Sequence, residues 1–456
     1  MFVGFDYGSA NCAVGIMDQD TVTLIPLSTD SHYLVSTLYA LDRDLICEAV
    51  FKALPVEQQS AYATARSAQL SRARQARREL DLDADEQAVF VGEQAVQHYL
   101  EMPEEGFYVR SPKSFLGATG LRADQVALFE DIVTMMMLHI KQLADAKLAS
   151  RGQKVTHAVI GRPVNFQGIG GEESNAQAED ILRLAASRAG FEAVAFLFEP
   201  LAAGMDFEAS LTDDKTVLVV DVGGGTTDCS VVKMGPSHID KADRSDDFLG
   251  HSGQRIGGND LDIALSMKAF MQHMGLGSHM VNGLPVPSKP FWNAVAVNDI
   301  SAQRDFASLS SRNMIKALIT DAERADLLQR LLKVQQDQLG YRIVRSAEAA
   351  KIALSETSKT TVTLDYICQQ LDANVDEQMF IDAISQPVAQ IQSLMAAALA
   401  ESGVMPDIIY VTGGTAKSPA IYNSIAAIYP AIDIVVGDHF GSVTAGLTRW
   451  SQRIFN

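Results

Sequence analysis

Residues 218–234 read LVVDVGGGTTDCSVVKM, and residues 3–17 read VGFDYGSANCAVGIM. Each is an apolar run, an aspartate, a glycine-bearing turn and a second apolar run, which is the pattern of a β-hairpin. Asp6 and Gly8 of the earlier stretch match Asp221 and Gly223 of the later one, 215 positions on and close to half of the 456-residue chain. A further matching unit follows each hairpin. Val155–Ile160 runs into Gly161, Arg162 and Pro163, and Ile408–Val411 runs towards Gly413 and Gly414. Both read as buried strands leading to helical segments. The duplication predicts two similar α/β lobes across a cleft, the kind of place where ligands bind.

The rest of the chain narrows the class. Its length exceeds one compact core, so about three domain-sized units are expected. With 47% hydrophobic and 20% charged residues, the composition is ordinary for a globular protein and argues against long-range disorder. Lys plus Arg is 37 and Asp plus Glu is 56, a net charge of −19 that argues against nucleic acid and anionic membrane surfaces as partners. Cys12, Cys47, Cys229 and Cys368 form no CxxC pair and there is no HExxH, so neither a zinc site nor a disulfide framework is expected. Asp6 interrupts what a signal peptide would need as its apolar core, and the most lipid-like run, Val133–Leu138, is far too short to span a bilayer. A cytoplasmic protein is expected. Between the matched units lie insertions: a polar helical stretch at 57–86 with Arg66, Arg72, Arg74, Arg77 and Arg78 followed by an acidic group, and a proline-rich bend at 283–290 followed by helical patterns such as Asp321–Gln338. The charged stretch reads as a solvated helix carrying both signs.

Two acidic glycine turns facing a cleft suit a metal-bound polyphosphate. Gly223, Gly224 and Gly225 leave backbone N–H groups unshielded, and successive N–H groups in such turns make anion-binding concavities. Ser9, Thr226 and Thr227 add hydroxyl donors. Asp6 and Asp221, at strand ends, could hold Mg²⁺ directly or through its water shell. Asp228 could orient or deprotonate an attacking water. Plain β-turns share this composition, but two in register half a chain apart favour the ligand role. There is no GxxxxGK[ST], and no GxGxxG follows a strand, so the phosphate-holding device must be the paired hairpins.

These turns, with Val411-Thr-Gly413-Gly414-Thr415, resemble the phosphate and adenosine motifs of the actin-like ATPases. The segments Phe198-Glu199-Pro200-Leu-Ala-Ala203, Gly257-Gly-Asn-Asp260-Leu-Asp262, Val155–Pro163 and Glu348-Ala-Ala-Lys351-Ile-Ala-Leu-Ser355 further resemble the nucleotide-binding half of the seventy-kilodalton heat-shock (DnaK-type) chaperones. The resemblance runs in family order from residue 3 to about 448. It implies an actin-like α/β fold of two duplicated, ribonuclease-H-like lobes around a nucleotide cleft. Lobe I would cover 1–205 with an insert at about 30–115, lobe II 206–430 with an insert at about 262–370, and 431–456 would return to lobe I.

By the same resemblance, ATP or ADP is bound with Mg²⁺. Asp6, Asp221 and Glu199 arrange the ion and its waters, and Ser9 and Thr226 meet the γ-phosphate. Asp228 lies near the attacking water, so Glu199, Asp221 and Asp228 form the catalytic set. Gly8, Ala10, Gly223–Gly225, Thr227, Gly257, Gly413, Gly414, Thr415 and Lys417 line the nucleotide. Glu348 and Lys351, three apart on one helix face, meet the ribose, and Ser355 approaches the adenine. Glu199 also has its own rationale: it closes a strand over 191–198 just before Pro200 opens a helix, which aims its carboxylate into the cleft.

The departures matter as much. Val96 stands where the family has a phosphate-facing lysine, and Ile352 and Lys417 replace two adenine-clasping arginines. Phosphoryl transfer depends on positioned positive charge, so binding is expected to survive better than hydrolysis. Lys113 is a conceivable substitute. Six residues follow Trp450, so the expected protein is a weak ATPase without the family's peptide-holding sandwich and lid, with client or co-chaperone unspecified. A small-molecule kinase of the same two-lobe plan, or a non-hydrolysing nucleotide-binding scaffold, is the alternative.

Overall fold

The computed structural model describes residues 1–456 apart from 30, 103–104, 119, 164–165, 167–170, 240, 242–243 and 438–440. The first predicted hairpin is β1 (Phe2–Tyr7) with β2 (Asn11–Asp18), and β3 (Thr21–Leu24) and the short β4 (Leu34–Val35) both run antiparallel to β2. A small separate sheet, in the order β6-β5-β7, is made by β5 (Thr37–Ala40), β6 (Val89–Val91) and β7 (Phe107–Arg110). The chain then rejoins the first sheet in parallel through β8 (His157–Arg162) and β9 (Ala193–Phe198), giving the order β3-β2-β1-β8-β9.

The second half repeats this path. An antiparallel set of β10 (Lys215–Val222), β11 (Thr227–Met234) and β12 (Phe248–Gln254) follows, with a two-stranded ribbon of β13 (Lys359–Thr363) and β14 (Asp372–Asp376) set apart. Parallel strands β15 (Ile408–Thr412) and β16 (Asp433–Val436) complete the order β12-β11-β10-β15-β16. Each sheet thus has a hairpin strand at its centre, with antiparallel pairing on one side and parallel pairing on the other.

That position explains the sequence of β10. Val217–Val220 are all buried, because a strand covered on both faces shows a continuous apolar run instead of alternation. The exposed ribbon behaves oppositely: Lys359–Thr363 alternates exposed and half-buried residues with period two. One apolar core lies in the first half around Phe5, Met136 and Met137, and another in the second half around Phe270, Phe291 and Leu331. A third, smaller core joins them. It combines Val159 of β8, Val217 and Val219 of β10, Leu201 and Ala202 of helix Glu199–Glu208, and Val443 and Leu447 of helix Ser442–Phe455. The two helices pack so closely that a Cβ on Gly446 would overlap the Ala202 carbonyl oxygen.

Two helical expectations change in detail. The 57–86 stretch is two helices, Val56–Ala65 and Ser67–Glu79, broken at Arg66, and it leaves helix where Asp81 adopts a positive φ of 53°. Its arginines are largely consumed internally. Arg66 is buried against Asp131 at 3.0 Å and also pairs with Glu130, Arg72 meets Asp44 at 3.2 Å, and Arg77 meets Glu48 at 2.9 Å. The Asp321–Gln338 pattern is interrupted: helix Leu309–Asp321 stops, Ala322 bridges to Met280, and a new helix runs from Ala325 to Gln336. No helix among the described residues is long and apolar enough to cross a membrane.

The helix crossing has a measurable consequence. Gly446→Ala, mild on any open helix surface, is expected here to lower stability by about 1–3 kcal/mol, read as a reduced urea midpoint with an unchanged denaturant slope.

Candidate functional site

The two glycine turns meet. A Cβ placed on Gly224 would lie 2.7 Å from the Cβ of Ala10, and one on Gly225 would lie 2.8 Å from Ser114 Oγ and 3.1 Å from Ser9 Oγ. Glycine is required here by close approach of the opposite half of the molecule. Two carbonyls of each turn are engaged by protein: Gly223 and Gly224 accept from the N–H groups of Gly258 and Asn259 at 2.9 and 2.8 Å, while Gly8 accepts from Ser36 Oγ at 2.6 Å and Ala10 from the Ser36 N–H at 2.9 Å. By contrast, the N–H groups of Ser9, Ala10, Gly224 and Gly225 donate to no acceptor among the described residues. A pair of turns with two filled carbonyls each and free amides is a ready cradle for an anion.

The turns border a crevice of about 400 Å³ whose walls come from both sheets. Asp6, Gly8, Ser9, Ala10, Glu199, Asp221, Gly223, Gly224, Thr226, Glu348, Lys351, Ser355, Gly413, Gly414, Thr415 and Lys417 all line it, as does Ile352. Four residues anticipated with them do not. Gly225 is packed against Ser9 and Ser114, and Gly257 lies behind the Gly223 carbonyl. Thr227 is buried with its hydroxyl donating to the Ile256 carbonyl at 2.7 Å. Asp228 is buried opposite Asp221 in the β10–β11 ladder, since the hairpin register that brings Asp221 to the crevice sets Asp228 beside it within the sheet.

The crevice floor concentrates negative charge. Burial first, then Glu199, Asp228 and Asp6, raise the Asp221 carboxyl well above the ordinary range. Burial and Glu199 push Asp6 from its ordinary 3.8 to about 7, against the pull of Lys113. Lys113 is buried, and although burial disfavours its charge, Glu199 and Asp6 hold its pKa above the usual lysine value. Its ammonium donates to Glu199. Lys113 reaches this point on the short turn Pro112–Phe115, launched by Ser111 in a left-handed conformation at φ 55°. A serine held there is strained, and Asn259 from the other half contacts its hydroxyl at 3.3 Å. Glu199 opens its helix as expected, and Gly161 on β8 leaves room for its side chain.

The opposite wall is carried by helix Gly340–Ala353. Glu348 and Lys351 are not paired with each other. Arg110 of β7 donates to Glu348 at 2.9 Å, and Lys351 lies 2.8 Å from Asp262. Burial opposes the charge on Glu348, but Arg110 and Lys351 hold its carboxyl below the usual range, while burial lifts Asp262 to about 6. Asp262, Asn259, Tyr33 and Asn11 also line the crevice; none was given a role from sequence, although Asn259 and Asp262 lie within the Gly257–Asp262 motif. An aspartate inside the apolar helix Gly258–Leu265 was the available signal for Asp262.

The donor set bears on the implied ion. Among the described residues no group of three or more His, Cys, Asp or Glu side chains converges to ligate a metal directly, so Asp6, Asp221 and Glu199 are not a closed ligand shell. Carboxylates around an open crevice do fit Mg²⁺, which keeps several of its waters.

Duplicated mixed sheets whose hairpin turns meet over a shared crevice define a protein of the actin-like ATPase fold. The family narrows on comparison. The family described as Hsp70 protein matches residues 119–275. The chaperone protein DnaK of Thermus thermophilus is 27% identical over 304 residues, which are 64% of this chain and 38% of that protein. DnaK of Trichormus variabilis is 26% identical over 64% of this chain and 34% of its own length, and that of Mycoplasmopsis agalactiae 25% over 66% and 40%. The chain is thus similar to the Hsp70 family over part of its length, and its match spans well under half the length of these chaperones.

The raised Asp6 carboxyl fixes a pH signature. Between about pH 4 and 7 the folded state holds a proton on Asp6 that the unfolded chain has released, so this group erodes stability as pH rises through that window. In ligand-free, chelator-treated protein, the melting temperature of Asp6→Asn relative to the parent should rise by about 2–4 °C between pH 5 and pH 8, in scans at the two pH values.

Proposed function

We propose that this chain is a nucleotide-dependent conformational switch of the heat-shock type, binding ATP or ADP with Mg²⁺ in the crevice and hydrolysing ATP slowly. The observation that carries this reading is the pair of touching turns, each with two filled carbonyls and with free amides, set over buried carboxylates. The free N–H groups of Ser9, Ala10 and Gly224, with the Ser9 and Thr226 hydroxyls, would hold the phosphates. Asp6, Asp221 and Glu199 would hold the ion through its waters, and the ion would supply neutralisation of polyphosphate charge. Glu348, Lys351 and Ser355 on one side, with Gly413, Gly414, Thr415 and Lys417 on the other, would take the nucleoside.

Hydrolysis is a weaker function on this reading than binding. Val96 supplies no charge, and Lys113, already tied to Glu199, is the cation of the crevice floor. Asp228 would act through Asp221 from within the sheet. Because phosphates touch both turns at once, bound nucleotide would favour the closed arrangement of the two halves, a shift limited by its differential affinity. A protein client or co-chaperone in the cytoplasm would read that closure, a reading supported by the chaperone names of the relatives.

Mg-ADP or Mg-ATP at about 100 times Kd should stabilise the protein by about 2.7 kcal/mol, and Asp221→Ala should abolish the response. A flat thermal-shift profile for the unmutated protein with both nucleotides would overturn the proposal. Lys113→Met should lower single-turnover ATP hydrolysis by about 100-fold or more while leaving ADP affinity much less affected. Equal losses in both would remove the lysine from the chemistry.

A further inference from the structure

A second cavity, of about 270 Å³, lies beside the crevice and shares Ala10, Asn11, Glu348 and Ile352 with it. Its remaining walls come chiefly from Val96 and Tyr99 of helix Glu93–Glu101, Tyr108 and Arg110 of β7, and Tyr341 and Arg345 of helix Gly340–Ala353, with Val35 of β4 and Thr37 of β5 beside them. We infer that this cavity is a binding site for a small organic anion, one apolar ring or branched chain bearing a single carboxylate or phosphate.

The apolar body has a preformed wall. Tyr99 and Tyr108 stack with centroids 4.4 Å apart and planes 11° from parallel, and Tyr341 meets both edge-on at 5.7 and 5.1 Å. The rings are fixed from behind, since the Tyr99 hydroxyl donates to the Gln338 carbonyl at 2.9 Å and that of Tyr341 to the Val297 carbonyl at 3.3 Å. Val96 adds an aliphatic patch where a longer, charged side chain would fill the space. A ligand meeting such a surface loses little side-chain freedom in the protein, which favours binding.

The charged head is selected by the arginines, which differ in state. Arg110 is engaged by Glu348. Arg345 is exposed, forms no ion pair among the described residues, and feels Glu348 only at longer range. In a chain of net charge −19, an uncommitted guanidinium at the mouth of an aromatic cavity is the feature that would draw an anion in. The cavity is smaller than the crevice, about 270 against 400 Å³, and its size suits one ring with its head group. The two sites share Ala10, Asn11, Glu348 and Ile352, but the tyrosine wall and Arg345 belong to the second cavity and do not line the crevice.

The test uses two probes, phenyl phosphate and benzoate, titrated calorimetrically into nucleotide-free protein, with Mg-ADP titrated into the same preparations. At least one probe should bind saturably at one site, its identity naming the head group. Arg345→Glu should weaken that probe by about tenfold or more while moving Mg-ADP affinity by less than about twofold. If the charge reversal changes the ligand-free melting temperature, Arg345→Gln is measured instead, and the loss of probe affinity is again required. Saturation by neither probe up to on the order of 10 mM, or undiminished binding by the Arg345 variants, overturns the site. The Mg-ADP titration separates that failure from a failure of the nucleotide reading.

Discussion

Three carboxylates at the floor of one crevice, with a single buried lysine among them, are the constraint around which the molecule is arranged. Asp6, Glu199 and Asp221 come from the ends of β1, β9 and β10, and Lys113 comes from a strained turn between the inserted sheet and the long first-half helix. Like charges gathered out of water are costly, and Lys113 offsets only part of the repulsion. Such an arrangement persists when the surrounding fold over-determines it. Here the two parallel-antiparallel sheets do so, since the carboxylates cap strands whose own positions are set by continuous ladders.

The scaffold was legible because its signals are local. An apolar run, an acid and a glycine turn specify a hairpin within about fifteen residues, and the repetition of that signal half a chain later specified the partner. The order of both sheets follows once each hairpin is joined to a parallel strand. Most of the anticipated crevice residues sit on these same segments, and for that reason they line it. Thr227 and Asp228 show the limit of turn-based reading. They lie only one or two residues beyond the turn, but strand pairing has already begun there, and the ladder takes them into the sheet.

What the sequence did not disclose are pairings across long separations. Lys113 and Glu199 are 86 positions apart, and Arg110 and Glu348 are 238 apart. No periodicity connects them. The arginines of residues 66–78 are the converse case. An acidic run follows them directly in sequence, yet Arg66 finds Glu130 and Asp131, and Arg72 and Arg77 find Asp44 and Glu48. Neighbours in sequence point the same charges at solvent, whereas packing of the helix Ser67–Glu79 on its surroundings decides which acids are in reach.

The contact between Gly446 and the Ala202 carbonyl leaves no room for a side chain between the two helices. Helices crossing without an intervening side chain can swivel about the point of contact far more easily than they can slide, because sliding would drive a backbone carbonyl into the neighbouring helix. A turn about this contact is the relative movement of the two helices that the crossing resists least. Displacement grows along the lever arms, so the inserted segments farthest from the crossing register the largest excursions for a given turn.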